Sequence, residues 1–111
     1  MTTLSKKALL TLSALTLAMS ASFGALAESV KSVAVTAIVE HPALDSVRDG
    51  VLDALNWAGY NEGKNLKWQY QSAQGNTGTA AQIARKFIGD QPDVIVAIAT
   101  PSAQAAVAGT K

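Results

Sequence analysis

A buried strand that runs directly into a helix is the feature that most constrains the fold of this chain. Residues 94–99, VIVAIA, form a short apolar run rich in β-branched residues, which is typical of a strand covered on both faces of a parallel sheet. Thr100 suits a helix N-cap, Pro101 suits the first helical position, and an alanine-rich helical segment follows. Because the first amides of a helix lack intrahelical partners, this turn is a candidate anion-binding site.

Two further strand–helix units precede this one. Ser32–Val39 is apolar almost throughout, so it predicts a second central strand, and Pro42 then opens an amphipathic helix that Gly59 ends. The apolar stripe predicted for that helix comprises Leu44, Val47, Val51, Leu55 and Ala58, widened by Leu52. Asn65–Gln71 alternates apolar and polar residues, which predicts a strand with one wet face near a sheet edge. Thr79–Gly89 returns to helical spacing.

The alternation of strands and helices with short connections predicts an α/β fold, a doubly wound parallel sheet with helices on both faces. The wet face of the second strand favours the strand order 2-1-3. In that order the topological switch point, where ligands of open α/β sheets usually bind, lies between strands one and three. Residues 40–42 and 100–102 would meet there. The third strand is apolar on both faces yet lies at an open edge, so we interpret the sheet as incomplete.

The first 27 residues predict a secretory signal peptide. Lys6 and Lys7 are followed by an apolar segment and by the small-residue cleavage motif of residues 25–27. The rival interpretation is an uncleaved membrane anchor, but the apolar segment is shorter than the roughly 20 residues that a spanning helix needs. We therefore expect residues 28–111 to be the mature part, exported to the periplasm.

Composition excludes several classes of function. Removing the two leader lysines changes the formal net charge from +1 to 7 − 8 = −1, which gives no electrostatic reason to expect a nucleic-acid partner. The chain has no cysteine, so disulfides, thiolate metal sites and a cysteine nucleophile are excluded. His41 is the only histidine, and a histidine metal site or a catalytic triad would need further partners. We expect no cofactor, no metal and no enzyme activity.

Several stretches together resemble one protein family. They are residues 35–45 (VTAIVEHPALD), 59–65 (GYNEGKN), 73–76 (AQGN), 86–88 (KFI) and, above all, 92–106 (PDVIVAIATPSAQAA). In this order they resemble the periplasmic substrate-binding proteins of ABC transporters, in the subgroup associated with tryptophan and tyrosine uptake. The resemblance covers residues 31–111. It implies a two-lobed protein that closes over a small-molecule ligand and delivers it to membrane permease subunits, with this chain supplying part of the first lobe.

If the ligand is an amino acid, each loop at the switch point can be matched to one of the ligand's charged groups. The hydroxyls of Thr100 and Ser102, with the amides of Ser102 and Ala103, would hold the carboxylate through charge-assisted hydrogen bonds. The alternative for Thr100 is a helix cap alone. Glu40 would pair with the ligand ammonium, with His41 beside it as a hydrogen-bonding or stacking group. The alternative for Glu40 is a solvated loop end.

Two other groups of residues have a structural and a functional interpretation. Gln74, Gly75 and Asn76 follow the second strand and would rim the cleft, or they are plain turn residues. Trp57, Trp68 and Tyr70 suggest contacts to an aromatic ligand, but core packing is the better interpretation of all three.

The alternatives to a transport-linked binding protein are an exported enzyme, a sensory ligand-binding domain and a fragment without function. An enzyme would need a nucleophile elbow, a metal cluster or paired acids at the strand ends, and the sequence shows none of these. A sensor would need a membrane-spanning segment elsewhere. Limited proteolysis of residues 28–111 tests the third alternative, because a functionless fragment would not give a resistant product.

Overall fold

A computed structural model describes residues 29–110, and the predicted signal peptide lies outside the described residues. The chain alternates strictly between strands and helices, as predicted. The elements are β1 (Lys31–Ala37), α1 (Pro42–Trp57), β2 (Leu66–Ser72), α2 (Thr77–Asp90), β3 (Val94–Ile98) and α3 (Thr100–Gly109). Each strand ends within two residues of its predicted boundary, and α2 begins two residues before the predicted start at Thr79.

The strands form one parallel sheet in the order β2-β1-β3, which confirms the predicted topology. Val35 at the centre of β1 lies opposite Tyr70 of β2 and opposite Val96 of β3. At the carboxyl end, Ala37 pairs with Ile98. The chain that leaves β1 and the chain that leaves β3 therefore start side by side, as the switch-point argument requires.

Helices cover both faces of the sheet, because β1 buries its side chains alternately on two cores. On one face the core contains Val33, Val35, Ala37, Leu66 and Ile98, against which Leu44, Leu52 and Leu55 of α1 pack. On the other face the core contains Ala34, Ala73, Ala80, Ile83 and Phe87, with Ala105 of α3 packed against it. This two-sided burial explains why β1 is apolar almost throughout.

Helix α1 corrects two predictions. The predicted stripe is only partly right, because Leu44 and Leu55 pack on the sheet whereas Val47 is 49% exposed and Ala58 is also exposed. The prediction that Trp57 packs in the core is wrong, because its side chain is 93% exposed. Trp57 lies two positions after Leu55, and a rotation of about 200° carries it to the solvent face.

Two other predictions for the strands are confirmed, whereas β3 is only partly covered in the described sheet, with Ile98 as its one buried residue. Trp68 and Tyr70 pack against the α1-side core, as expected for the dry face of β2. Strand β3 is an edge strand in the described sheet, and Val94 at its start is 51% exposed. Asp93 anchors this strand to β1, because it donates its N–H to the Ser32 carbonyl (2.9 Å) and accepts the Ser32 N–H at Oδ2 (2.8 Å).

Candidate functional site

Three loops meet at the carboxyl edge of the sheet. The loop after β2 is joined to the loop after β1 by two hydrogen bonds. Ala73 N–H donates to the carbonyl of Ala37 (2.9 Å), and Gly75 N–H donates to the carbonyl of Ile38 (2.6 Å). The turn after β3 starts beside β1 through the pairing of Ala37 with Ile98. The structure therefore brings the loops that carry the predicted site residues to one edge.

His41 is the N-cap of α1. Its backbone is extended (φ −153°), and its Nδ1 accepts a hydrogen bond from the N–H of Ala43 at 3.2 Å. An imidazole that accepts at Nδ1 carries its proton on Nε2 when neutral, so one donor remains available to a ligand. Glu40, immediately before it, is exposed, and its carboxylate forms no salt bridge within residues 29–110.

The loop after β2 is a tightly structured turn. Gln74 has a left-handed backbone (φ 55°), and its N–H donates to Ser72 Oγ at 3.2 Å. Gly75 follows with φ 79°, a conformation that glycine adopts without strain. Asn76 caps α2, because its Oδ1 accepts the N–H of Thr79 at 2.9 Å. The turn interpretation thus accounts for the Asn76 side chain, whereas the exposed Gln74 side chain stays available at the rim.

Thr100 is not the N-cap of α3, contrary to the prediction. The cap position belongs to Ala99, and no side chain caps this helix end. Ala99 has φ 76° and ψ 156°, a region that is essentially restricted to glycine and costs other residues about 1–3 kcal/mol. The chain has to change direction sharply between the end of β3 and α3, and this one residue absorbs the change. The exposed Thr100 hydroxyl is therefore not committed to a cap.

The amide of Ala103 is not free, which is a second correction. Its N–H donates to the carbonyl of Ala99 at 3.0 Å, closing the first turn of α3. Pro101 has no N–H. The amides of Thr100 and Ser102 are left without an acceptor among residues 29–110. The free amides at this helix end are therefore those of Thr100 and Ser102 rather than those of Ser102 and Ala103.

Ser102 combines deep burial with an unsatisfied hydroxyl. The residue is 1% exposed, and its Oγ has no hydrogen-bond partner in the described part of the chain. A buried hydroxyl without a partner costs about 1–3 kcal/mol. Such a group at an uncapped helix start is what a preorganised donor for a bound anion requires, and this signal was not visible in the sequence.

A second polar cluster, also missed by the sequence analysis, lies on α1. The Arg48 guanidinium stacks 4.7 Å from the ring centroid of Tyr70, and its Nε donates to Asp49 Oδ1 at 2.9 Å. Asp45 Oδ1 lies 3.7 Å from Arg48 Nη1. The hydrogen bond that Arg48 donates to the Asp49 carboxylate raises the pKa of Arg48 above its ordinary value. This cluster fastens α1 to β2, because it links the helix surface to an aromatic ring of the sheet.

Residues 29–110 lack two further features. This part of the chain contains no group of three or more histidine, aspartate or glutamate residues placed to hold a metal ion. Its helices include none with the length and apolar character needed to cross a membrane.

Residues 32–111 match the family described as ABC transporter substrate binding protein. A curated relative, the Tyrosine-binding protein of Clostridioides difficile, is 46% identical over 81 residues, which are 73% of this chain but only 24% of the relative. The chain thus spans about a quarter of the relative's length.

Three solved structures are also similar. A conserved domain protein of Vibrio cholerae O1 biovar eltor is 59% identical, with a TM-score of 0.74 over 75% of this chain and 28% of that chain. A substrate binding protein with adhesive properties from Clostridium difficile, solved in a ligand-free, open structure, is 48% identical, with a TM-score of 0.72 over 74% and 28%. An ABC domain from Streptococcus pneumonia in complex with L-Trp is 30% identical, with a TM-score of 0.71 over 75% and 28%.

The matched region includes all three strands, all three helices and the loops at the carboxyl edge. It covers more than two thirds of the chain, and the sheet order and the similarity to solved binding proteins agree with it. The chain therefore belongs to the family of ABC transporter substrate-binding proteins.

Proposed function

We propose that this chain forms part of the first lobe of an exported binding protein that captures an aromatic amino acid. The ligand lies at the carboxyl edge of the sheet, in a cleft that a second lobe completes. The chain carries no catalytic role. It supplies the residues that hold the charged end of the ligand, and the aromatic end is held by polypeptide outside residues 29–110.

The observation that carries the proposal is the uncapped start of α3. Two amides without acceptors, those of Thr100 and Ser102, lie beside the buried unpaired hydroxyl of Ser102 in sequence and on the same helical turn. Donors held in place before binding suit a carboxylate, because no reorganisation is needed when it arrives. The Thr100 hydroxyl adds a further donor, while the committed amide of Ala103 does not take part.

The loops after β1 and β2 supply the rest of this half of the site. Glu40 is the acidic residue of the β1 loop, so it is assigned to the ligand ammonium, with the Nε2 proton of His41 as a second polar contact. Gln74 lies on the rim, held there by the turn whose Gly75 bonds to Ile38. Gly75 and Asn76 act by shaping this turn rather than by contacting the ligand.

Aromatic specificity rests on the relatives. The curated relative is a Tyrosine-binding protein, and one similar structure is a complex with L-Trp. The mechanism is a shift in the population of closed conformations, because a ligand that touches both lobes binds the closed state more tightly. The closed protein then delivers the ligand to the permease subunits of an ABC transporter. The signal peptide in residues 1–27 accounts for export to the periplasm.

Ligand-induced stabilisation tests this function. The exported form of the protein should show a higher Tm with L-tyrosine or L-tryptophan, since a ligand at one hundred times its Kd stabilises by about 2.7 kcal/mol. L-Leucine and L-glutamate are the controls, because they share the carboxylate and the ammonium but lack the ring. No increase with either aromatic amino acid would refute the ligand, while the family and the fold would stand.

A further inference from the structure

The outer edge of β2 is long and regular. Strand β2 has seven residues, Leu66–Ser72, and each of them has a register partner in β1, so the pairing contains no bulge. The strand contains no proline, and Lys67 is its only charged residue. Proteins usually protect an edge strand with a bulge, a proline, a short length or charged side chains. Of these protections β2 has one lysine, and no strand among residues 29–110 pairs with its outer side.

The main-chain groups of Trp68 and Tyr70 point away from the sheet. Ala73, directly after β2, donates its N–H to the carbonyl of Ala37 in β1, so the odd-numbered residues of β2 direct their N–H and C=O groups toward β1. Successive residues of a strand direct these groups to opposite sides. The even-numbered residues Trp68 and Tyr70 therefore each present a donor and an acceptor at the outer edge, with no ladder partner in residues 29–110.

The side chains of β2 are arranged symmetrically about its middle residue, Gln69. Trp68 and Tyr70, on either side of it, lie on the α1 face of the sheet, where the described residues bury them only in part. Lys67 and Gln71 lie beyond them on the opposite face, and both are exposed. The strand thus reads polar, aromatic, polar, aromatic, polar in either direction.

We propose that β2 pairs with β2 of a second copy of this protein, antiparallel and about a two-fold axis through Gln69. In this register Trp68 lies opposite Tyr70 of the second copy, and Tyr70 lies opposite its Trp68. These pairs are the hydrogen-bonded ones, because they hold the outward N–H and C=O groups, and they form about four main-chain hydrogen bonds. The sheets of both copies join into one through an interface that is the same on each copy.

Side chains on both faces favour this register. On the α1 face, Trp68 and Tyr70 form cross-strand aromatic pairs. On the other face, Lys67 lies opposite Gln71, whose amide oxygen accepts a hydrogen bond from the ammonium, so no like charges face each other. An axis through Trp68 or through Tyr70 would oppose only one pair of aromatic residues and would leave part of the strand unpaired. The axis through Gln69 therefore gives the most complete pairing.

A second copy suits this edge better than a foreign peptide, because the residue pattern of β2 is self-complementary under a two-fold rotation. Pairing at β2 also leaves the opposite edge strand, β3, free. The axis reverses the strand direction, so the carboxyl edges of the two copies point in opposite directions along the joint sheet. The candidate ligand sites at these edges therefore stay open in the dimer.

Disulfide cross-linking tests the pairing. The residues at the axis form a non-hydrogen-bonded pair, which brings their Cα atoms to about 4.5 Å, within the range that a disulfide spans. This chain contains no cysteine, so Gln69→Cys in the exported form places a single thiol at the axis. Gln71→Cys is the matched control, because it replaces the same type of residue on the same face of β2. Its thiols would lie on residues roughly 14 Å apart, too far for a disulfide.

We expect Gln69→Cys to form disulfide-linked dimers at least about tenfold faster than Gln71→Cys under mild oxidation. Random collisions predict the reverse, because Gln71 is exposed whereas Gln69 is half-buried. As a second readout, light scattering should give the parent protein a doubled mass. Gln71→Lys should return it to the monomer mass, because lysines then face each other across the axis. Gln82→Lys, the same change of charge on the exposed side of α2, should keep the doubled mass.

Equal or faster cross-linking of Gln71→Cys would overturn the proposal. So would cross-linking of Val94→Cys, at the exposed start of β3, in place of Gln69→Cys, because the copies would then meet at the other edge. A monomer mass for the parent protein would refute the pairing as well. Loss of the doubled mass in both lysine variants would also contradict it, since the position of the added charge would then not matter.

Discussion

Replacing Ser102 by alanine should change the stability of the unliganded protein and its affinity for ligand in opposite directions. The Ser102 hydroxyl is buried and has no partner among the described residues, so its removal relieves a desolvation cost of about 1–3 kcal/mol. Losing one oxygen atom leaves only a small void, which offsets part of that gain. We expect the unliganded variant to be more stable by about 1 kcal/mol.

The affinity should fall because the same hydroxyl is assigned to the ligand carboxylate. A hydrogen bond to a charged acceptor contributes about 1.5–3 kcal/mol, which corresponds to a loss of roughly 10- to 150-fold in Kd. Urea unfolding measures the change in stability of the unliganded protein. Calorimetric titration of the exported form with L-tyrosine and L-tryptophan measures the change in affinity.

Thr36→Val is the matched control for Ser102→Ala. Thr36 is also 1% exposed, and its Oγ1 also lacks a partner, but it lies within β1 rather than at the start of α3. Thr36→Val should therefore raise stability to a similar extent and leave the affinity unchanged. The reasoning is refuted if Ser102→Ala keeps the affinity of the parent protein, or if Thr36→Val weakens binding as strongly.

Four other experiments test the structure. Asn76→Ala removes the cap of α2 and should lower the free energy of unfolding by about 1 kcal/mol in urea titrations; no change would mean that the cap bond is absent. Ala99→Gly should raise it by about 1 kcal/mol, because glycine adopts φ 76° without strain, and a loss of stability would contradict the strained cap. Each tryptophan can be observed alone, Trp57 in the Trp68→Phe variant and Trp68 in the Trp57→Phe variant. Acrylamide should quench the fluorescence of Trp57 far more than that of Trp68, and equal quenching would mean that both side chains are buried to a similar depth. Phe87→Ala should cost about 3–5 kcal/mol, detected as loss of a cooperative thermal transition, whereas a nearly unchanged Tm would show that this ring is not central to the core.

The fold was largely predictable because its determinants are local and periodic. Residues 94–99 and Ser32–Val39 are apolar on both faces, and a strand of that composition has to lie between two layers. The alternation in Asn65–Gln71 then assigns β2 to an edge, and short connections exclude other parallel arrangements. The order β2-β1-β3 follows from these patterns, and with it the switch point.

The candidate site was predictable in position but not in detail. The residues of the three loops were correctly assigned to one edge, because strand order determines which carboxyl ends are neighbours. The role of each hydrogen-bond donor was not predicted correctly. Thr100 suits a cap by its chemistry, but the geometry of the turn moves the cap to Ala99 and commits the amide of Ala103. The capping propensity of a residue does not specify the first residue of a helix to an accuracy of one position.

Sequence by itself therefore determined the element order, the sheet topology and the edge that carries the candidate site, because periodicity and turn chemistry act over a few residues. Tertiary structure alone decided which polar groups stay unsatisfied. The burial of the Ser102 hydroxyl, the positive φ of Ala99 and the exposure of Trp57 depend on how distant elements pack. Burial is a property of the packed assembly, and no local pattern of residues specifies it.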